Sequence, residues 1–557
     1  MTRLLALILL CLVLAVSGLL LAVRPVLDID LVDYLPENTL LFLEVERPIR
    51  LAGPGRSGQN GKSISAATWY KFLQQMGGSD TLIAETRKMI AAGEALAKHP
   101  LISSLLDHGA TFALLPERAG QAEFAVSRQW MVAVRIDDHE AEQRFEEMLA
   151  RLQTRQPVSY QGETLRHLAA DDGQEFFYWR HRNVVLAACE QELLRRCIDQ
   201  KLRRMIQKEV SLATNATYLR LRQLGKERAD IFCYVDLKGL HRRMPLVQAV
   251  ETESGGLLPR HLAFSGRAAS NTIRLEFNAL VDPASTAAFL TRHALSAPIR
   301  QPSMEPMPPE VKLALWTNWF KSKYLWDFVR QKAGDDVSAL MALIGQQLSE
   351  ATGKSLDDFF DVFGDEFGVM ITEQQVAHQS SRFMGGLLLA LRDRPAMAAM
   401  IAQMEARLQV IKVKSGDLEI DSVMLAGGLL QPACALLAQH LILADSVELA
   451  EAVRRQLMPD RLDGHQGKAS GPESGPGNVS LFLRVGEVAE QLAPLLTLLA
   501  KETGEWDRML PPETRLFVRE VGLPLLAGLH NVATGRVRGS MAGDTLNMEV
   551  EYTLRGD

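Results

Sequence analysis

One stretch of this chain decides its fold because it occurs twice, as MVAVRID at Met131–Asp137 and as LLLALRD at Leu387–Asp393, 256 residues later. Each copy is followed by a helical pattern whose apolar residues recur on one face. Each copy also ends in an acidic residue, Asp137 or Asp393, placed to cap the free amides of that helix, and Pro395 suits a first helical turn. The stretch therefore predicts a strand and a capped helix in both parts of the chain.

The similarity extends outward from this stretch in both directions. The other matched blocks are Trp69–Gly77 with Trp326–Gly334, Gly109–Phe112 with Gly364–Phe367, Val184–Ala187 with Leu441–Ala444, Ile231–Asp236 with Ser480–Val485, and Thr272–Phe277 with Thr545–Val550. Blocks that keep one order along two parts of a chain indicate a duplicated structural unit. We therefore interpret the sequence as a tandem duplication.

The order of elements predicts the fold class. Each copy reads as strands alternating with helices, with hairpin-like strand pairs in its middle, which favours a mostly antiparallel sheet with helices on one face. The predicted fold is α+β, with two tandem copies of this module after an N-terminal transmembrane helix. The predicted domains are residues 1–26, the membrane anchor or signal segment; 35–283, copy one; 284–306, a Pro-containing linker without regular structure; and 307–557, copy two.

The N-terminal segment Leu4–Val23 is an apolar run of 20 residues, interrupted only by Ser17 and Gly18. A helix of this length crosses a hydrocarbon core of roughly 30 Å. A cleaved signal peptide is the alternative, because Ala15–Ser17 resembles a small-x-small cleavage site. Retention is favoured because the apolar run continues beyond that site. Both interpretations place the bulk of the chain in the periplasm or otherwise outside the cytoplasm, and retention predicts a single-pass protein of the bacterial inner membrane.

Composition excludes several function classes. The chain has 557 residues, 47% apolar and 23% charged, and a net charge of -6, which is typical of globular protein and offers no basic field for nucleic acid. Five cysteines occur, Cys11 in the leader and then Cys189, Cys197, Cys233 and Cys434, without metal-ligand spacing. One disulfide between Cys233 and either Cys189 or Cys197 remains open, and nucleic acid is not expected as a partner.

A family resemblance emerges from short motifs in copy one. These motifs are LPENTLLFLEV at Leu35–Val45, YQGET at Tyr160–Thr164, Val184–Ala187, Ser211–Ala213 and YVDL at Tyr234–Leu237. In this order they resemble the bacterial envelope proteins of domain-of-unknown-function family 3352. Copy two departs from the pattern, with Met307–Glu310 in place of the opening motif. The resemblance implies an anchored or exported protein without established activity, and it supplies no catalytic residue.

Motifs for chemistry are weak throughout. Gly55–Ser63 resembles a P-loop but has five residues, rather than four, between its first glycine and Gly-Lys, so a surface loop is favoured. His99 and His108 lack a metal-binding spacing. The acidic pairs Asp137-Asp138 and Asp357-Asp358 are better explained as helix caps than as a catalytic acid and base. We therefore predict no catalytic, cofactor-binding or metal-binding residue, and no cofactor.

Two apolar clusters have alternative interpretations. Trp316, Trp319 and Trp326 lie within eleven residues, and core packing is favoured over an aromatic ligand site or a membrane-interface patch. The Met-rich helix Met397–Met404 is favoured as core filler over a hydrophobic binding groove. A second glycine-rich stretch, Asp463–Gly477, is predicted to be a surface loop.

These observations favour a noncatalytic, membrane-anchored envelope protein that binds or scaffolds a partner through its duplicated modules. Its expected partners are the membrane, through the N-terminal helix, and a protein or a lipid. One alternative is a carrier or binder of lipid or another hydrophobic ligand. A third hypothesis is an unrecognised extracytoplasmic hydrolase whose residues come from distant segments.

Overall fold

A computed structural model describes part of the chain. The described residues are 31–45, 80, 84, 87, 110–117, 129–136, 139–150, 153–169, 175–181, 183–207, 211–225, 229–243, 259–269, 271–283, 296–302, 304, 307–319, 335–376, 380–415, 418–424, 431–458, 476–500, 518–523, 526 and 529–555. The predicted membrane segment 1–26, the loop 55–63, His99, His108, the pair at 137–138, and Trp69 and Trp326 lie outside these residues.

The described elements are numbered in chain order. Strands β1 to β11 are Leu41–Val45, Ala110–Leu114, Trp130–Arg135, Gln153–Thr154, Val158–Tyr160, Glu163–Ala169, Glu175–His181, Val184–Ala188, Ile231–Asp236, His261–Ala269 and Thr272–Leu280. Strands β12 to β23 are Ile299–Arg300, Val311–Thr317, Phe363–Val376, Ser380–Leu391, Val410–Ser415, Leu418–Val423, Ala433–Leu436, His440–Ala444, Pro476–Gly477, Val479–Leu483, Val532–Ala542 and Thr545–Leu554. Helices α1 to α9 are His139–Ala150, Gln191–Gln207, Ala216–Leu224, Leu237–His241, Asp335–Thr352, Leu356–Asp361, Arg394–Glu405, Val447–Leu457 and Val485–Ala500.

The main sheet consists of two half-sheets. In the N-terminal half-sheet, neighbouring strands follow the order β6, β7, β8, β3, β2, β1, β9, β10 and β11. In the C-terminal half-sheet, the order is β16, β17, β18, β19, β15, β14, β13, β21, β22 and β23. Every pairing between described strands is antiparallel, so the predicted α+β class with a mostly antiparallel sheet is confirmed.

The two half-sheets join along a seam between β11 and β23. Glu276 pairs directly with Glu549 near the middle of this seam. The Arg274 guanidinium contacts both carboxylates, with Nε 3.2 Å from Glu276 Oε1 and Nη2 3.0 Å from Glu549 Oε1. On the opposite face, Leu275 and Phe277 belong to an apolar cluster that spans both half-sheets. The seam therefore has one polar and one apolar face, as alternation along a strand requires.

Helices pack on both faces of the N-terminal half-sheet. Met131 in β3 belongs to the cluster that contains Leu194 of α2, whereas its neighbour Val132 belongs to the cluster that contains Phe145 of α1. The predicted placement of helices on one face is therefore wrong. Strand β8, Val184–Ala188, is buried at all five positions, and such continuous apolar runs are typical of strands covered on both faces.

The C-terminal half-sheet is covered in the same way. Leu388 packs in a cluster with Val453 of α8, and the adjacent Leu389 packs in another with Met400 of α7. Gly386 allows α8 to approach closely, because a Cβ at this position would lie 2.5 Å from Val453 Cγ2. Adjacent residues of β15 thus contact helices on opposite faces.

Local signals in the sequence are partly confirmed. The Asp393 side chain accepts a hydrogen bond from the Ala396 amide at 2.9 Å and caps α7, whose first turn contains Pro395. The Pro-containing linker is not wholly irregular, because its strand β12 pairs with β20 at the end of the glycine-rich loop. This pairing forms a separate two-stranded sheet.

Across the described ranges, none of the helices has the length and hydropathy needed to cross a membrane. The predicted anchor in residues 1–26 is outside those ranges and stays a prediction.

Candidate functional site

A cleft of about 470 Å³ lies in the C-terminal half-sheet, where β14 begins and β15 ends. The start of α7 and the turn between β18 and β19 complete its walls. Its lining residues are Glu366, Ala390, Leu391, Arg392, Arg394, Pro395, Ala438, Gln439 and His440. Its volume is within the range that small-molecule sites occupy, and most of the side chains that could contact a ligand there are polar.

Two members of a buried polar triad, Glu366 and His440, lie at the floor of the cleft. Trp316 Nε1 donates to Glu366 Oε1 at 2.8 Å, and His440 Nε2 lies 3.1 Å from Glu366 Oε2. The side chains of Glu366 and His440 are 11% and 3% exposed. His440 pairs in the sheet with Ala390, whose small side chain leaves room for the imidazole to reach the carboxylate on β14. The triad therefore links β13, β14 and β19 across β15.

The triad keeps a charge-bearing group in the sheet interior. A buried carboxylate without donors costs several kcal/mol, and the indole and imidazole N–H groups offset that cost at both oxygens of Glu366. With Glu366 ionised, His440 Nε2 acts as the donor, which fixes the orientation of the ring. The arrangement presents a fixed imidazole to the cleft.

Two arginines lie at the rim. Arg394 Nε donates to the Leu437 carbonyl at 3.0 Å, which orients this guanidinium. The Arg392 side chain is 63% exposed, and its Nη2 is 3.7 Å from Asp365 Oδ1. Guanidinium groups at the mouth of a concave surface are suited to binding a carboxylate or a phosphate.

A second polar network connects the residues that lie beside the rim of the cleft. Asn478 Nδ2 donates to Asn318 Oδ1 at 2.9 Å and to the Ser296 carbonyl at 3.2 Å, and Asn478 Oδ1 accepts from the Met541 amide at 2.8 Å. Ser296 Oγ then donates to Asp365 Oδ2 at 2.8 Å. Asp365 is thereby bound on the side away from Arg392.

The N-terminal half-sheet carries a different charged cluster. Trp179 Nε1 donates to Glu163 Oε2 at 3.0 Å, and Lys201 Nζ lies 3.2 Å from Glu163 Oε1 and 3.0 Å from His181 Nδ1. Burial alone would raise the pKa of Glu163, but the hydrogen bonds from Trp179 and Lys201 hold it below its usual range. This cluster ties α2 to β6 and β7.

Three of the cysteines that the structure describes are poorly suited to act as nucleophiles. Cys189, Cys197, Cys233 and Cys434 are free, so the disulfide left open by the sequence is absent from the described residues. Burial raises the pKa of Cys189, Cys197 and Cys434 to about 12. Thiols with such a pKa are not nucleophiles at neutral pH.

The other sequence-predicted residues occupy structural positions where they are described. Trp316 is fully buried, as expected for a core residue, and Met397 and Met400 pack in the core, whereas Met404 is 40% exposed. Asp358 accepts from Ser355 in a capping box at the start of α6, which confirms a capping role. In the described residues no group of three or more His, Cys, Asp or Glu side chains could hold a metal ion.

Comparisons with known proteins are sparse. The chain matches no family model and no curated protein. It is similar to a solved structure titled "Structure of crystal form I of TP0453", at 8% identity and a TM-score of 0.21. The similarity covers 48% of this chain and 87% of that chain. A TM-score this low carries no argument, and the resemblance to family 3352 stays a prediction.

Proposed function

We propose that this chain is a noncatalytic, membrane-anchored envelope protein, related to family 3352, that binds or scaffolds a partner through two copies of one module. The copies are residues 35–283 and 307–557. The segment Leu4–Val23 anchors the chain in the inner membrane, and the modules lie in the periplasm.

The strand order is the observation that carries this proposal. Outward from the seam, the N-terminal half-sheet runs β11, β10, β9, β1, β2, β3 and β8, and the C-terminal half-sheet runs β23, β22, β21, β13, β14, β15 and β19. When the seven strands of each half are ranked by their position along the chain, strands at matching places in the sheet have the same rank. A duplicated module accounts for this agreement directly.

The seam supports the same interpretation. The sequence repeat aligns Thr272–Phe277 with Thr545–Val550, and this alignment makes Glu276 and Glu549 equivalent positions. These two residues pair directly in the sheet. A pairing of equivalent residues is what two duplicated modules related by a two-fold axis, as the subunits of a symmetric dimer are, would produce.

Two copies on one continuous sheet favour a binding role. A partner with two recognition elements, or two copies of one partner, gains affinity because the second contact forms within an existing complex. The membrane anchor keeps both surfaces at a fixed place in the envelope. We therefore infer that similar surfaces of the two modules contact the same partner.

Site-specific photo-crosslinking in intact cells tests this inference. Glu192 and Glu448 are each the second residue of the helix that follows β8 or β19. A crosslinker at either position is expected to capture the same protein. Matched control positions are the exposed Glu147 on α1 and Gln403 on α7, which pack on the other face of the sheet.

Two results would contradict the proposal. A chain recovered alone from both helices at every depth of crosslinking would argue against partner binding. Different products from Glu192 and Glu448 would argue against duplicated binding surfaces, even if each product were a genuine partner.

A further inference from the structure

The cleft beside Glu366 has features that the scaffold function does not require. It occurs in the C-terminal half-sheet, and strands β2 and β8, which take the places of β14 and β19 in the N-terminal half-sheet, contain no ionisable residue. We propose that this cleft binds a small organic anion, through a carboxylate or a phosphate group, and that Arg392 and Arg394 contact the anion.

The correspondence follows from the strand order. Strands β2 and β8 lie on either side of β3, as β14 and β19 lie on either side of β15. The sequence of β2 is ATFAL and that of β8 is VVLAA. Uncharged residues therefore suffice in the strands where the C-terminal half has a carboxylate and an imidazole.

A buried ionisable pair is not an efficient source of stability. Replacing such a pair by well-packed apolar residues is often neutral or stabilising, because desolvation of the charges offsets their attraction. Strand β8, which is apolar and buried at all five positions, shows that apolar residues are compatible with this strand of the sheet. The pair at the floor of a cleft, in contact with open space, is better explained by a ligand than by folding.

The rim supplies the charge that selects the ligand. Arg394 lines the cleft, and the hydrogen bond from its Nε to the Leu437 carbonyl restrains the guanidinium there. Arg392 makes a long contact with Asp365, and that carboxylate also accepts from Ser296. A ligand anion within hydrogen-bond distance of Arg392 would bind it more strongly than Asp365 does at 3.7 Å, since charge-assisted hydrogen bonds are shorter than 3 Å.

The floor supplies the polar contacts below the anion. Glu366 does not repel the ligand strongly, because both its oxygens are bonded to Trp316 and His440. His440 and Gln439 are both among the residues that line the cleft. A cleft of about 470 Å³ accommodates a small metabolite with an anionic group at the rim and a polar group toward the floor.

Calorimetric titration of the full chain in detergent tests this proposal. The probes are inorganic phosphate and glutarate, with the neutral diamide glutaramide as the uncharged control. We expect saturable binding of one equivalent of at least one anion, and the double variant Arg392→Gln/Arg394→Gln is expected to weaken it at least about tenfold. The probe that binds more tightly assigns the ligand to the phosphate or the carboxylate class.

A matched control separates this site from general charge effects. Arg155 and Arg180 are surface arginines of the N-terminal half, each paired with a glutamate. The double variant Arg155→Gln/Arg180→Gln should bind within about twofold of the wild type, because single surface charges at a distance contribute little. An equal loss of affinity in both double variants would overturn the proposal.

A second measurement does not depend on the folding of any arginine variant. The ring resonances of His440, assigned with a His440→Gln variant, should shift in the wild-type chain as the bound anion saturates. No saturable heat with either anion up to about 10 mM, or saturation that leaves the His440 resonances unchanged, would overturn the proposal.

Discussion

The two half-sheets share a strand order but differ at one place in the face covered by α2 and α8. On β2 and β8 the N-terminal half has only uncharged residues, whereas on β14 and β19 the C-terminal half has Glu366 and His440 bonded to each other. The difference teaches that this fold tolerates both uncharged and ionisable residues in these strands. Stability alone does not explain the choice, so the comparison can be tested by converting one half toward the other.

The largest effect is expected from His440→Leu, which gives β19 an apolar residue like those of β8. The substitution removes a donor from a buried carboxylate, and we expect the free energy of unfolding to fall by about 3 kcal/mol. In a Glu366→Thr background, the same substitution should cost less than about 1 kcal/mol, because no carboxylate is left there. Urea unfolding of the four chains, followed by tryptophan fluorescence, measures the coupling. An equal cost in both backgrounds would mean that the two side chains do not act as a pair.

A smaller effect is expected at the seam, where the two halves meet. Arg274→Met leaves Glu276 opposite Glu549 without the guanidinium that contacts both. Like charges directly opposite in a sheet are destabilising, so the free energy of unfolding should fall by about 1 kcal/mol. Adding Glu276→Gln should restore most of the lost stability, and 1 M salt should reduce the difference in stability between Arg274→Met and the wild type. A loss that persists in the Glu276→Gln background would point to packing of the Arg274 stem.

The smallest effect concerns an ion pair between the halves. Arg220 of α3 donates to both carboxylate oxygens of Asp544, at 2.7 and 2.6 Å, and these hydrogen bonds lower the pKa of Asp544 from 3.8 to about 2. Since the folded-state pKa lies below the unfolded value, the stabilisation is present above pH 3.8 and is lost as pH falls to about 2. The pair is partly exposed, so Asp544→Asn should cost only about 0.5 kcal/mol at pH 6.

The free energies of unfolding of Asp544→Asn and of the wild type, measured at pH 6 and near pH 2, check the direction of this pH dependence. The difference in stability between the two proteins should vanish at the lower pH. Asp282→Asn is the control, because Asp282 and Arg260 form a similarly exposed pair within the N-terminal half. A difference that stays constant with pH would show that the Asp544 carboxylate is not the stabilising group.

Much of the fold could be predicted from short-range signals. Alternating strands, an acidic cap at Asp393 and a proline in the first helical turn indicated a strand-helix order that the structure contains. The sequence alignment placed Val132 with Leu388, but Val132 packs in the cluster of α1 whereas Leu388 packs in the cluster of α8 on the opposite face of the sheet. A one-residue slip moves every side chain to the other face, and apolar runs without alternation do not fix the register.

The candidate site could not be predicted from motifs. Glu366 and His440 are far apart in the chain, and only the antiparallel order of β14, β15 and β19 brings them together. One signal was available, because Glu366 lies in the same phase of its strand as Gly368 and Met370, which face the core. A carboxylate in the buried phase of a strand indicates a donor nearby. It does not indicate which residue is the donor, and nothing in the sequence around His440 marks that residue as the partner.

The seam has a consequence for how such a protein can change. In a dimer of identical subunits, each substitution appears on both sides of the axis, so a carboxylate that suits one cleft is imposed on the other. Here the residues facing each other at Glu276 and Glu549 are encoded separately. On the duplication proposed above, one half can retain its original buried residues and preserve the sheet while the other acquires new chemistry. Neither half requires a compensating substitution on the other side of the axis.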